Sequence, residues 1–193
     1  MKKLYSSLIL ALFCLVSFSA IAAEMDTGIG VWLEARAASG KKPSEIVGYY
    51  DHNFSDSLGV YVVATTGSDG YREFYVGPAW KPLPWLQVGI GAGREIMPGM
   101  HNSARRNAFV SIDREKFSVY ATRENGGSDP WHKVIALYKV TEVVSAGAMY
   151  ETFLGVGPRV EYNISKNVTV WGALLRDRDT KETTSLLAVN FSF

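Results

Sequence analysis

The sequence predicts an all-β fold: one antiparallel transmembrane β-barrel, most simply of twelve strands, with ten or eight as the alternative counts. Three observations predict it. Apolar and polar residues alternate at period two in segments that recur about every 14 residues, and almost no stretch follows the helical period. Charged residues fall in mid-segment, on faces opposite the apolar ones. The last alternating segment runs to the final residue and ends on an aromatic, Phe193.

The predicted strands follow in order. The first, 28–37, stops at Ser39-Gly40, and the second, 44–53, at the cluster Asn53 to Asp56. Segment 57–66 ends at Gly67 to Gly70, 71–80 at Lys81 to Pro84, and 85–94 at Met97 to Ser103. Segments 105–113 and 117–124 meet near Glu115, and the second stops at Asn125 to Pro130. Then come 132–140, 143–150, 153–162 (closed by Asn163 to Asn167), 168–177 (closed by Asp177 to Thr183) and 185–193. The punctuating residues supply a positive or fixed φ at turns. Thr141-Glu142 is a poor turn dipeptide, and a ten-strand count follows if that joint is not a turn.

Composition bounds the rest. A chain of 193 residues, 47% hydrophobic and 20% charged, suffices for one domain with a real core. Aromatics at 12% and a net charge of +1 argue against disorder. An isoelectric point near 7.8 leaves no basic footprint for nucleic acid. Eighteen glycines fit a helical bundle badly.

Residues 1–22 read as a secretory signal peptide, with 23–193 as the barrel. Lys2 and Lys3 form the basic region, Leu8 to Phe18 the apolar region, and Ala20-Ile21-Ala22 the small-residue cleavage site. Cleavage after Ala22 leaves 171 residues, removes two lysines and no acid, and moves the net charge from +1 to −1. It also removes Cys14, the one cysteine, and with it any disulfide framework or thiolate chemistry.

The faces separate a barrel from a soluble sandwich. In 185–193, Leu187, Val189, Phe191 and Phe193 share one face, against Ala188, Asn190 and Ser192. In 85–94, Leu86, Val88, Ile90 and Ala92 oppose Gln87, Gly89, Gly91 and Gly93; these glycines read as close packing at the wall. Alternation alone suits either architecture. The polar faces, however, carry Glu34, Arg36, Glu45, Asp51, Glu73, Asn107, Ser111, Glu124, Arg159 and Glu161, which a wet lumen tolerates by pairing opposite charges. The predicted lumen set for function is Glu34, Arg36, Glu45, Asp51, Glu73, Arg159 and Glu161. Aromatics gather near strand ends on one side: Phe54, Trp80, Trp85, Phe117, Tyr138, Tyr162, Phe191 and Phe193, as in an interfacial girdle.

Ending on Phe193, with Phe191 two before it, resembles the C-terminal signature of small bacterial outer-membrane β-barrel proteins. That resemblance covers the mature chain at the level of class. It implies the outer membrane as location after export through the periplasm, both termini facing the periplasm, and recognition of the last strand by the barrel-assembly machinery. On that topology three outer connections are longer: Glu95 to Ala104, Asn125 to Trp131 and Arg178 to Thr184.

Arg72, Arg94, Arg106, Arg123 and Arg176 fall on the outward phase at the predicted extracellular ends. An outward cation deep in hydrocarbon costs about 2–4 kcal/mol. At the rim it can meet lipopolysaccharide phosphates through its guanidinium fork. The expected partners are thus outer-membrane lipid and lipopolysaccharide, with no nucleic acid and no cofactor; the oligomeric state is left open.

Catalysis has one candidate pair. Met100-His101-Asn102-Ser103 sets His101 and Ser103 two apart, on one face of an extended backbone, with Glu95 or Asp113 to orient the histidine. The spacing is similar to that of outer-membrane lipid A deacylases of the PagL type, where it lies on a late strand; here it lies mid-chain beside Pro98-Gly99. A calcium-dependent phospholipase would want a histidine, serine and asparagine on adjacent strands, and none assembles. No His/Cys/Asp/Glu cluster has metal-ligand spacing. The first functional expectation is a narrow channel for small solutes. Alternatives are a lipid A-modifying hydrolase using His101 and Ser103, or a structural barrel with a plugged lumen. The chain is similar in size and strand count to small channels for acidic oligosaccharides, whose lumens are arginine-rich where this one is mixed.

Overall fold

The computed structural model describes residues 29–40, 42–99 and 102–193. They form twelve strands: β1 (Ile29–Ala38), β2 (Glu45–Asn53), β3 (Leu58–Gly67), β4 (Arg72–Leu83), β5 (Leu86–Ile96), β6 (Ser103–Asp113), β7 (Phe117–Gly126), β8 (Trp131–Lys139), β9 (Val144–Glu151), β10 (Gly155–Ser165), β11 (Val168–Arg176) and β12 (Thr183–Ser192). Each pairs antiparallel with its sequence neighbours, and β1 pairs β12 to close the barrel. The predicted signal peptide lies outside the described residues.

Below, the base is the end bearing Ile29 and Ser192, and the rim is the opposite end. The base turns are short because local hydrogen bonds close them. At the joint without an obvious turn residue, Val140 N–H donates to Val144 C=O at 2.9 Å, while Thr141 Oγ1 accepts from Val143 and Val144 N–H at 3.3 and 3.0 Å. A threonine side chain thus supplies the turn that the dipeptide lacked, and the count stays at twelve.

The rim loops are shorter than the sequence predicted. The strands of β5, β6 and β7 run further, through Glu95↔Ser103 and Arg105↔Gly126. The connections are therefore 97–102, 127–130 and 177–182, and 39–44 matches the longest of them. Continued pairing satisfies backbone donors that a loop would leave to water.

Two strands carry a mid-strand proline, Pro78 in β4 and Pro158 in β10. On one side each is fully paired, Pro78 with Val60 and Pro158 with Ala148. On the other side the ladder skips: Val76↔Ala92 is followed by Ala79↔Gly89, and Val156↔Arg176 by Arg159↔Ala173. Proline has no N–H to give there. The two gaps face one another across the ring.

The outer face is a greasy band. Ile90 (65% exposed), Leu187 (60%), Val76, Val160 and Leu174 all point outward at mid-height. Toward the base this band meets exposed Phe54, Trp80, Phe117, Tyr138 and Tyr162, the aromatic girdle. Trp85 sits in a base turn with the Arg114 guanidinium 4.1 Å over its ring. Inside, buried apolar residues form two groups: Met149, Leu154, Trp171, Ala173, Leu175, Leu186 and Ala188 against β9–β12, and Tyr61, Ala79 and Phe109 opposite them.

The outer band generates a direct test. Ile90→Lys is expected to lower unfolding stability in lipid vesicles by about 2–4 kcal/mol, measured by urea titration, whereas Ile90→Val changes it little. An Ile90→Lys protein as stable as the parent would place the outer face of β5 in water.

Candidate functional lumen

The inward positions enclose a cavity of about 790 Å³. Its lining reaches from Gly30, Asp51, Ser111 and Ser192 at the base to Lys42, Asp69, Ser128 and Phe153 at the rim. Side chains project into it because every second residue of each strand faces inward.

Near the rim, Arg105 on β6 holds a group of carboxylates. Its Nη1 donates to Glu95 and, at 2.9 Å, to Ser128 Oγ; its Nη2 donates to Glu124 at 3.1 Å. Its Nε donates to the Tyr75 hydroxyl at 2.9 Å and lies 3.7 Å from Glu73. Ser128 caps Glu95 through its N–H at 3.2 Å and its hydroxyl at 3.1 Å. The Tyr71 hydroxyl donates to Glu73, and burial, followed by that carboxylate, pushes the phenol well above its ordinary range.

A second group crosses the lumen. Arg36 on β1 donates through Nη2 to Glu45 on β2, and through Nη1 and Nη2 to Glu151 on β9 at 2.6 and 3.0 Å. The link to β9 bypasses β10, β11 and β12 in the ring. Behind it lies the apolar group on β9–β12, together with Arg159. Arg159 donates to Glu161 at 2.8 Å and stacks 3.7 Å over the Trp171 ring. Trp171 Nε1 in turn donates to Glu34 Oε2 at 2.8 Å. One sector of the interior is thus packed, and most of the cavity lining comes from the remaining wall.

That wall carries aromatics at mid-height. Tyr49 and Tyr61 stack at 6.3 Å, Phe109 meets Tyr61 edge-on at 4.9 Å, and Tyr120 stacks on Phe109 at 6.1 Å. The Tyr61 hydroxyl donates to Asn107 Oδ1 at 2.6 Å. Gly89 and Gly91 give these rings their room. A Cβ at Gly89 would stand 2.3 Å from the Phe109 ring, and one at Gly91 2.5 Å from both the Tyr61 hydroxyl and Asn107.

Of the sequence-predicted lumen residues, Glu34, Arg36, Glu45, Asp51, Glu73 and Arg159 line the cavity, and Glu161 shares their inward phase beside Arg159. Sequence reasoning missed Arg105, Glu95 and Glu151 as members of these groups. The signal existed for the first: Arg105 shares the phase of inward Asn107 and precedes outward Arg106. Glu151 lay at a predicted strand end, where phase is hardest to read.

Arg72, Arg94, Arg106, Arg123 and Arg176 are all exposed, on the outward phase near the rim. The first four occupy consecutive strands. Arg94 lies two residues from Ile96, the register partner of Arg72; Arg106 lies two from Ala104, the partner of Arg94; Arg123 lies two from Asn125, the partner of Arg106. Each offset is two residues toward the base. Beside Arg176, the Asp177 carboxylate is held below its ordinary range by the N–H groups of Thr180 and Asp179.

The structure places two candidate orienting carboxylates, Asp113 and Glu95, and one aromatic, Phe193, otherwise than expected. Asp113 closes the base end of β6, roughly 33 Å along the strand from Ser103 at its rim end, so it orients nothing there. Ser103 pairs with Glu95, whose carboxylate Arg105 and Ser128 already occupy; His101 lies outside the described residues. Phe191 keeps its place in the β12 ladder, opposite Leu33 and Val168. Phe193 lies past that ladder: its N–H donates to Val31 C=O at 2.9 Å and it lines the base of the cavity instead of continuing the outer face.

No protein-family model matches this sequence, and no curated protein sequence matches it. Solved structures do. The fold is similar to that of the KdgM porin in complex with disordered oligogalacturonate, at TM-score 0.57 and 13% identity over 85% of this chain and 99% of that one. It is similar to Omp33 of Acinetobacter baumannii, at TM-score 0.53 and 14% identity over 86% and 98% of the two chains. It is also similar to outer membrane phospholipase A from Escherichia coli, at TM-score 0.51 and 9% identity over 84% and 88%. The chain has the fold of bacterial outer-membrane β-barrels. Porins and a phospholipase share that wall, so function has to be read from the interior.

Arg105 is the group whose loss should be felt most. Arg105→Ala leaves Glu73, Glu95 and Glu124 without their cation and is expected to cost about 3–5 kcal/mol in urea unfolding. Arg72→Ala, on the exposed outer rim, is expected to cost under about 1 kcal/mol. Equal small losses would mean that water, not Arg105, carries the three carboxylates.

Proposed function

We propose that the protein is a narrow outer-membrane channel for small polar solutes, with its base toward the periplasm. The observation that carries this reading is the cavity whose lining reaches both ends of the barrel. The charge of that lining narrows the solute class. Acids Glu34, Glu45, Asp51, Asp69, Glu73, Glu124, Asp129 and Glu151 outnumber bases Arg36, Lys42, Arg105, Lys133 and Arg159. Two of the arginines are each shared between several carboxylates and have little charge left for an anion. An acidic excess in a confined path raises the local concentration of cations and lowers that of anions. A chain of carboxylates, such as the oligogalacturonate bound to the KdgM porin, suits this lumen poorly; neutral or cationic solutes suit it well.

The wider setting belongs to the same proposal. Residues 1–22 would direct export and be removed, and the terminal strand with Phe191 and Phe193 would be read by the assembly machinery. The outward arginines near the rim would meet lipopolysaccharide phosphates, since a guanidinium binds phosphate bidentately and the outward face near the rim would border headgroups.

Two measurements test this reading. Refolded protein in planar bilayers is expected to give small, steady conductance steps with cation preference; bilayers indistinguishable from bare lipid would overturn the channel. Replacing Arg72, Arg94, Arg106, Arg123 and Arg176 by glutamine is expected to reduce co-purifying lipopolysaccharide while folding in detergent stays intact. Unchanged lipopolysaccharide would remove the belt from the proposal.

A further inference from the structure

Among the described residues, Glu34 is the one carboxylate with a buried oxygen that has no hydrogen-bond partner. Glu34 is 2% exposed. Its Oε2 accepts the Trp171 N–H at 2.8 Å, while its Oε1 has no partner. Asn190 on β12 is the direct register partner of Glu34 and shares its inward face. The Asn190 Oδ1 is also buried and without a partner. Directly paired side chains on one face of a sheet have Cβ atoms about 5 Å apart, so the two side chains with an unpartnered oxygen are neighbours on the inner face of the β1–β12 seam, where Glu34 lines the cavity.

The surroundings suit a positive charge. Trp32 is two residues from Glu34 on the same face of β1, with Tyr49 its register partner on β2, and both line the cavity. Electron-rich rings favour a cation near their faces. The nearest guanidinium groups are held by other carboxylates: Arg36 binds Glu45 and Glu151 through its two Nη atoms, which leaves its Nε without a partner, and Arg159 is held by Glu161 and the Trp171 ring. A buried carboxylate oxygen without a donor is costly. A group that brings both charge and N–H donors would relieve it.

We propose that Glu34 and Asn190 form a binding station for a primary ammonium group, with Trp32 and Tyr49 beside it. This rests on the channel reading in that the station lies on the permeation path, but binding can be measured without permeation. The ammonium would donate to Glu34 Oε1 and Asn190 Oδ1 and place its methylene next to the rings. The acidic lining would then do more than screen: it would hold amines at one level of the lumen.

The test is a titration of intrinsic tryptophan emission of the detergent-folded protein with methylammonium chloride, because Trp171 and Trp32 adjoin the station. A saturable change is expected, weakened about tenfold or more in Glu34→Gln. Asn190→Leu, which leaves the Glu34–Trp171 bond in place, serves as the second variant and is expected to weaken it as well. No saturable change in the parent protein overturns the station, and so does a change that survives both substitutions. An Asn190 amide turned to donate to Glu34 would give the first of these outcomes. A response to sodium chloride as strong as that to methylammonium overturns the assignment to an ammonium group. Bilayer conductance is recorded on the same preparations. Saturable binding with no conductance would leave the station standing and remove the channel, and conductance without binding would do the reverse.

Discussion

The β1–β12 seam is the constraint on which the rest depends. In hydrocarbon an unpaired backbone group costs several kcal/mol, and an open sheet would expose two edges of them. The register from Trp32↔Ser192 to Ala38↔Leu186 removes both edges. Once the ring closes, period-two alternation acquires a strict meaning: one set of residues must satisfy lipid, and the other is enclosed. Ile90 and Leu187 belong to the first set, Arg36 and Arg105 to the second. The ladder gaps at Pro78 and Pro158 are tolerable because each proline stays fully paired on its other side.

Closure also decides what the interior can hold. A twelve-strand wall is too wide for side chains to fill by simple projection. This protein resolves the surplus space in two ways. On β9–β12 it packs apolar residues around Trp171; elsewhere it uses long charged side chains and aromatic rings. The Arg36–Glu151 link separates the two regions by reaching from β1 to β9. Buried ion pairs gain little net stability over apolar packing, but removing one partner is expensive. Their role here is therefore better described as fixing shape than as adding stability: each arginine holds carboxylates from different strands in one arrangement.

Much of the wall was legible in the sequence, because alternation and turn residues are local signals. Segment 85–94 with Gly89 and Gly91 already separated outside from inside, and the structure adds only which rings the glycines admit. The outward phase of Arg106 carried the inward phase of Arg105 with it, although that partner was overlooked. What no local signal contains is which inward side chains meet across the ring. Arg36 and Glu151 are far apart in sequence and four strands apart on the wall; their meeting follows from strand number, tilt and closure together. The same holds for Glu34 and Trp171. The turn at Thr141-Glu142 was placed by the spacing of the strands around it, but its closure by a hydroxyl was not legible, since such turns lack the glycine or asparagine by which turns are usually read.

The distribution of polar chemistry bears on what kind of protein this is. The described rim connections are at most six residues long, and Lys42, Asp69 and Ser128 at the mouth face the cavity. A surface enzyme on such a wall needs a nucleophile, a base and an orienting carboxylate gathered at one level and open to lipid. On β5 and β6 the available carboxylate, Glu95, points inward and is already bound by Arg105 and Ser128. The outward rim offers guanidinium groups, which bind phosphate but do not abstract protons. Inside, by contrast, acidic side chains, aromatic faces and Glu34 with its unpartnered oxygen line one cavity. Selective passage uses such groups without requiring any of them to react. The wall is common to several activities, and the proposed channel rests on the placement of its polar groups, inward and mostly held by arginine.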